Sequence, residues 1–395
     1  MFQKLVSHND DLRRLVEKDY AVAIDSNYLV VRDIPYLSAD GALRIGGIVT
    51  KLEFVDANTV RQDDHQIFFA GSSPHNLDGS PIPNLADRPA TLALSEACSD
   101  VVVQRMFSNK PKAAGKFADF FEKIESYVAI ISGPAMELAT PYTGRTFPDG
   151  TSESVFSLPD TLTSRAEIGD LSAKFRDEVV AVIGTGGTGA YVLDLLVKTP
   201  VREIRAYDDD FFHVHNSFRS PGKFDPAELG KKKAAVYEAR YSSFRRGMSF
   251  KAKCIDATSG DELDGVTFAF VCVDKGSARS EIFEILLSKK IPFIDVGMGL
   301  SRKKGVLNGM LRTTYFSSQD GRKIFEKGLA KVADDGDDLY KTNIQIGELN
   351  ALNACLAVIR FKQVRGFYFE ENPVYNLLFE VGDFKIVEES ELKDV

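Results

Sequence analysis

The most regular alternation of apolar and polar positions runs from residue 179 to residue 296. Apolar runs of strand length fall at Val179–Ile183, Glu203–Tyr207, 249–255, 266–273 and 292–296, and segments with helical period separate several of them, at 187–198, 230–241 and 278–289. Strands that alternate with helices predict a mostly parallel sheet covered on both faces, so the fold class of this region is α/β and Rossmann-like. Beyond it the pattern changes. A β segment at 306–316 leads into a polar stretch, 321–340, then a helix at 347–360 and a terminal hairpin, 374–380 with 384–388, around Gly382-Asp383.

The first part of the chain reads as a separate α+β domain. β-rich runs at 20–24 and 28–31 flank Asp25-Ser26-Asn27, a tight turn, and further strands are predicted at 46–54 and 66–70. Residues 71–88, dense in Gly, Pro, Asn and Asp, read as loop. From Ala90 onward the pattern becomes helical, with Phe117, Phe120, Phe121, Ile124 and Val128 on one helix face. The stretch PDGTSESVFSLP at 148–159 reads as a linker, which gives domains at 1–156 and 160–395, and a helix at 163–175 is expected to lead into the nucleotide-binding strand.

Composition narrows the classes. A chain of 395 residues with 44% hydrophobic and 27% charged residues suits two globular domains. No apolar run approaches a membrane span, and MFQKLVSHNDDLRR lacks the apolar core of a signal peptide, so a cytoplasmic location without membrane partners is expected. The net charge of −8 argues against a general nucleic-acid partner. Cys98, Cys254, Cys272 and Cys355 form no CxxC pair and are expected to be reduced and mostly buried. His8, His65 and His75 have no ligand spacing with Cys98, and the acidic run at 334–338 lacks the spacing of a calcium loop.

The candidate chemistry begins at GTGGTG. Gly184, Thr185, Gly186, Gly187 and Gly189 sit between strand and helix, where glycine lets the backbone turn tightly and approach a phosphate, and the helix start offers unpaired N–H groups. Asp208, at the end of the next strand, can accept from ribose hydroxyls, with Asp210 two residues on. A nicotinamide enzyme needs no more than this. Here Asn216 and Arg219, then Lys231, Lys232 and Lys233, then Asp274 follow at successive strand ends, a set suited to a triphosphate carrying a divalent metal.

In that order and spacing the chain resembles the ThiF/MoeB and ubiquitin-activating-enzyme superfamily, with its GxGGxG, D-x-D, N-x-x-R, lysine and later aspartate. The resemblance covers about residue 163 to the C-terminus. The whole layout is similar to bacterial proteins that join an uncharacterised N-terminal domain to a ThiF module, in operons with ubiquitin-like and conjugating-enzyme-like proteins. It implies ATP and Mg²⁺ as cofactors, Asp208 as ribose ligand, Asn216 and Arg219 on the distal phosphates, and Lys233 near the α-phosphate. Asp274 is implied as the magnesium-associated acid of adenylation, Asp210 as a second acid with a metal or structural role, and Arg165 as a residue reaching into the partner subunit of a homodimer.

The activity implied is adenylation of the C-terminal carboxylate of a ubiquitin-like protein. The family's thioester-forming members carry a reactive cysteine in the crossover, and none lies between Asp274 and Ala354 here. Adenylation without a conventional cysteine thioester is therefore expected, with direct transfer to a partner protein. Cys355, in LNACLAVI, reads as a packed thiol, and Ser317 or Ser318 remains as an oxyester acceptor. The alternatives are adenylation of a sulfur carrier, a peptide or a tRNA, a catalytically silent scaffold subunit, and, least favoured, an NAD oxidoreductase. The first domain's mixed strands and long loop suit a protein-docking module.

Overall fold

A computed structural model describes residues 2–111, 115–146, 154–158, 160, 162–163, 166, 168–274, 276–328 and 344–389. Arg165, the acidic run 334–338 and half of the expected linker lie outside the described residues. The chain divides into two compact units, Met1–Ala173 and Lys174–Val395.

The first unit opens with two short helices that the apolar pattern did not announce, α1 (Phe2–His8) and α2 (Asp10–Glu17). Helices this short are not stable alone; they hold because Leu5, Leu12 and Leu15 are fully buried. Next come β1 (Ala21–Asp25), β2 (Tyr28–Leu37), β3 (Leu43–Lys51), the small pair β4 (Glu53–Phe54) and β5 (Val60–Arg61), β6 (Gln66–Ala70), β7 (Arg88–Pro89) and β8 (Arg105–Ser108). The main sheet has the order β1-β2-β3-β6-β8-β7 and its pairs are antiparallel. Asp25 pairs with Tyr28, so Ser26-Asn27 is the two-residue hairpin turn, with Ser26 at φ 57°.

The helix expected from Ala90 is absent over most of its range. α3 spans only Phe120–Ser132, started by Asp119, whose carboxylate accepts from the Glu122 N–H at 2.7 Å. Upstream, from Ala90, the regular elements among the described residues are one 3₁₀ turn at Glu96–Cys98 and strand β8. The reason is a two-sided sheet. Leu29, Val31, Ile48, Phe69 and Phe107 face the helices, while Ala23, Val30, Val49 and Phe68 face the other way and are covered by Cys98, Val101 and Val103. The helix expected at 163–175 is likewise reduced, among the described residues, to 162–163 and α4 (Gly169–Ala173).

Lys123 of α3 is 0% exposed and donates to Thr50 Oγ1 at 2.7 Å and to the Asp64 carbonyl. Burial pulls its ammonium down to about 8 from 10.5. Below pH 8 the lysine is charged in both folded and unfolded chains and the burial cost is fully present; between 8 and 10.5 the unfolded chain holds the extra proton and the cost is relieved. Relative to Lys123→Met, the wild-type protein should therefore gain up to roughly 3 kcal/mol across that window. Urea denaturation of both proteins at pH 7.5 and pH 10 measures this, and a difference that does not change with pH refutes it.

The second unit follows the predicted alternation. Its elements are β9 (Val179–Ile183), α5 (Gly187–Val197), β10 (Glu203–Tyr207), the short α6 (Val214–Ser217), α7 (Lys233–Tyr241), β11 (Met248–Lys251), β12 (Phe268–Val271), α8 (Gly276–Ser288), β13 (Phe293–Lys303), β14 (Val306–Phe316), α9 (Gly321–Glu326), α10 (Gly347–Val364), β15 (Asn376–Glu380) and β16 (Lys385–Glu389). They form one sheet, β11-β10-β9-β12-β13-β14-β15-β16, parallel through β13 and antiparallel thereafter.

Every residue of β9 is buried, as expected for a central parallel strand. Val180 and Val182 join one core with α5 and α10, and Val179, Ala181 and Ile183 join the other with α8. β13 runs seven residues past its predicted end at 296 because it pairs along its full length with β14. Among the described residues no helix is long and apolar enough to cross a membrane.

Candidate active site

At the end of β9 the chain turns at Gly184, φ 89°, where a Cβ would lie 2.8 Å from the Cys272 carbonyl oxygen. A Cβ on Gly189 would fall on the Gly184 carbonyl itself. These two glycines let the loop close against the ends of β9 and β12. Gly186, the N-cap of α5, is different, since a Cβ there would meet nothing within 4 Å. The N-cap of α5 thus faces open space at Gly186, and a helix N-terminus open there favours an anion.

Asp208 follows β10 and is buried. Its Oδ2 accepts from the Thr185 N–H at 2.7 Å and the Thr185 hydroxyl at 3.1 Å, and its Oδ1 from the Asp210 N–H at 2.9 Å. Lys233 Nζ lies 3.5 Å from Asp208 Oδ1 and 2.8 Å from Asp210 Oδ2. The three neighbouring lysines separate cleanly. Lys233, the first residue of α7, is 5% exposed and turns into the site, while Lys232 pairs with Asp209 and lies over Phe211, and Lys231 is exposed.

Asn216, on α6, is buried and accepts from the His213 N–H at 2.8 Å, so here it fixes the turn that carries Arg219. Arg219 Nε is buried without a hydrogen-bond partner and lines an open cavity of about 550 Å³ with His215, Phe218 and Gln345. Burial, then the charges of Arg219, His213 and Lys233, push the His215 imidazole below its ordinary pKa. Lys233 is balanced by Asp208 and Asp210, while the Arg219 Nε is left without a hydrogen-bond partner.

Asp274, just past β12, accepts from Gln345 Nε2 at 2.9 Å. Asp274 and Gln345, with Gly186, Gly187, Thr188, Asn350 and others, line a smaller cavity of about 30 Å³ beside the glycine loop. Asn350, 1% exposed on α10, takes the Thr188 hydroxyl on Oδ1 at 2.9 Å and lies so close to Gly187 that a Cβ there would sit 2.6 Å from its Cγ. Next to Val296 of the lining, Asp295 is fully buried and paired with both Arg279 and Arg312.

Among the described residues no three His, Cys, Asp or Glu side chains gather as a metal site. A nucleotide-borne Mg²⁺ needs only one or two carboxylates besides phosphate and water, and Asp274, with its amide partner, fits that smaller demand. The cysteines are less uniformly buried than expected: Cys98 is buried, Cys272 and Cys355 are half-buried and Cys254 is exposed, all of them free. Burial, then the charges of Asp295 and Asp274, drive the Cys272 thiol up, away from the thiolate form. Ser317 Oγ is taken by the Asp320 N–H at 2.8 Å, a local turn.

Gln345, Asn350 and His215 escaped the sequence reading. The signal that could have shown Asn350 is the apolar helix around LNALNACLAVI, where asparagines three apart, Asn350 and Asn353, are both buried.

Fold and loop together define a Rossmann-like α/β domain of the nucleotide-binding class. Residues 163–352 match the ThiF family, and residues 10–161 match the Domain of unknown function (DUF6791). Similar solved structures include PaaA, at 19% identity over 56% of this chain and 75% of that chain, with a TM-score of 0.41. Escherichia coli MccB with succinimide is 18% identical over 56% of this chain and 66% of its own, at a TM-score of 0.43. The same enzyme with AMPCPP and MccA is 17% identical over 58% and 71%, at 0.46. No curated protein matches the chain.

Proposed function

We propose that this protein uses ATP and Mg²⁺ to adenylate the C-terminal carboxylate of a ubiquitin-like protein in a bacterial ubiquitination-like pathway. The carrying observation is that Lys233, buried against Asp208 and Asp210, stands beside the open glycine loop, in the unit that also holds the unpartnered Arg219 Nε and the Asp274 carboxylate. Lys233 and Arg219, in the unit that offers a helix N-terminus at the glycine loop, suit a polyphosphate.

In this reading the α-phosphate lies against Gly186, where the backbone is bare. Asp208 already accepts three hydrogen bonds, which leaves room for one ribose hydroxyl. Lys233 exchanges Asp210 for phosphate oxygen, Arg219 takes the distal phosphates, and Asn216 keeps Arg219 in place. Asp274, with Asp210 as a second acid, holds Mg²⁺, which supplies charge neutralisation on the phosphates. The substrate carboxylate oxygen attacks the α-phosphorus in line, the new P–O bond forms as the bond to the β-phosphate oxygen breaks, and pyrophosphate leaves with the electron pair. The nucleophile is already ionised, so no general base is needed; positioning and charge do the chemistry.

Release of the acyl group to a conjugating-enzyme-like partner, without a cysteine thioester on this chain, accords with the raised Cys272 thiol and with Cys355 standing half-buried on α10. A homodimer, with Arg165 completing the partner's site, and an N-terminal docking module for protein partners complete the proposal. ATP–pyrophosphate exchange that depends on a ubiquitin-like protein ending in glycine tests it. Asp274→Ala should reduce exchange about a hundredfold or more. Exchange that never rises above background with any such protein would sink the reading.

A further inference from the structure

The larger cavity, beside Arg219, holds a side chain to which the adenylation reading gives no task. His215 lies on α6, and the turn continues into Arg219, whose N–H donates to the Asn216 carbonyl at 3.1 Å. Residues four apart on such a turn share a face, and His215 and Arg219 both line the open space of about 550 Å³ together with Phe218 and Gln345. The start of α10 packs on the same turn, where a Cβ on Gly347 would lie 3.1 Å from the Phe218 carbonyl oxygen, and its N-cap, Ile346, has no polar side chain to offer. The positive end of that helix therefore adds to the field at the cavity.

The charges that act on the imidazole are Arg219 and His213 from its own segment and Lys233 from the start of α7. His213 also stacks on it, with ring centroids 5.7 Å apart. Gln345 is neutral and holds Asp274 through Nε2, and Glu348, in the first turn of α10, acts on Tyr191 instead. Burial and these positive neighbours lower the ring below its ordinary pKa, so in the free protein it is mostly neutral at pH 7.

We propose that His215 is a binding residue for the distal phosphates of the nucleotide, and that it takes up a proton from solvent as their charge enters the cavity and returns it when pyrophosphate leaves. This rests on the adenylation reading and adds to Lys233 and Arg219 a third cation that exists only in the complex. A polyphosphate brings more negative charge than any one of these neighbours brings positive. Its arrival reverses the field at the ring, and the imidazolium N–H can donate to a phosphate oxygen.

The two cavities select this end of the nucleotide. Gly186 and Gly187 line the small one with Asp274, whereas His215 shares the large one with Arg219, whose Nε is buried without a hydrogen-bond partner. The ribose belongs at Asp208, after β10. Binding and protonation then favour each other reciprocally. ATP affinity should rise as pH falls from the pKa of the bound ring to that of the free ring, and level off below it.

Titration calorimetry of the full chain with ATP at pH 7, in excess Mg²⁺ and in two buffers of unlike ionisation enthalpy, reads the protons taken up. Excess metal keeps the terminal phosphate of free ATP deprotonated, so the uptake reports the protein. Wild type should take up about half a proton, and its ATP affinity should rise about fivefold between pH 8 and pH 6.5.

His215 is exposed, so substitutions there should leave the fold intact. His215→Gln keeps a donor but does not titrate, and should show neither the uptake nor the pH dependence. His215→Lys, a fixed cation, should also lose the pH dependence yet bind ATP at pH 8 more tightly than His215→Gln. Uptake that persists in His215→Gln assigns the proton to His213 or to the nucleotide and overturns the proposal, as does a wild-type protein that binds ATP with no uptake; both leave ATP binding standing. If wild type does not bind ATP at all, the adenylation reading itself is wrong and the role of His215 falls with it.

Discussion

Replacing Lys233 with alanine should lower ATP–pyrophosphate exchange by about a hundredfold to a thousandfold, the usual effect of deleting one preorganised charge from a phosphoryl-transfer site. Lys233 is the only one of its three neighbouring lysines that is buried in the site, so Lys231→Ala and Lys232→Ala should stay within about threefold of wild type. The substitution also strips Asp208 of its nearest cation, at 3.5 Å, which should cost roughly 1–3 kcal/mol of stability. Exchange kinetics and urea denaturation, run on all three variants, separate the two effects. Exchange by Lys233→Ala within threefold of wild type would show that the lysine serves the fold alone.

Gly189→Ala should be at least as damaging, for a steric reason. The added methyl falls on the Gly184 carbonyl oxygen, and neither the helix nor the loop can yield, since the Gly184 N–H is itself bound to the Tyr207 carbonyl at 2.8 Å. A loss of about 3 kcal/mol or more, or failure to fold, is expected. Gly186→Ala is the contrast: its Cβ meets nothing and its φ is −67°, with ψ of −151° at the rim of the β region, so stability should fall by no more than about 1 kcal/mol while ATP affinity falls as the methyl enters the space meant for phosphate. A Gly189→Ala protein with a wild-type denaturation midpoint, or a Gly186→Ala protein with undiminished ATP affinity, contradicts this account of the loop.

The glycine loop and Asp208, Asn216, Arg219, Lys233 and Asp274 were legible because parallel strands deliver their C-terminal ends to one edge. Order along the chain therefore maps onto position in the site. Gln345 and Asn350 reach the same place from about 160 residues downstream of the loop and show in the sequence only as polar residues in or beside an apolar helix. Their place there depends on tertiary packing against Thr188 and Asp274, which no local period encodes.

In the first unit, residues 90–117 mislead for a related reason. Their Ala, Leu and Glu favour helix locally, but Val101 and Val103 are buried while Val102 is 62% exposed, the two-residue period of a chain lying flat on a sheet. α1 and α2 are too short for their period to stand out, and burial alone makes them helices.

The carboxylate of Asp208 touches the glycine loop through Thr185, the backbone of Asp210, and the first residue of α7 through Lys233. A change in any one of them alters the field and the freedom of the others. Their contributions to nucleotide binding are thus coupled, and the effects of single substitutions at Thr185, Asp208, Asp210 and Lys233 are not a set of terms to be added. The cradle acts as one object, in which a mutation at any corner reports on the whole.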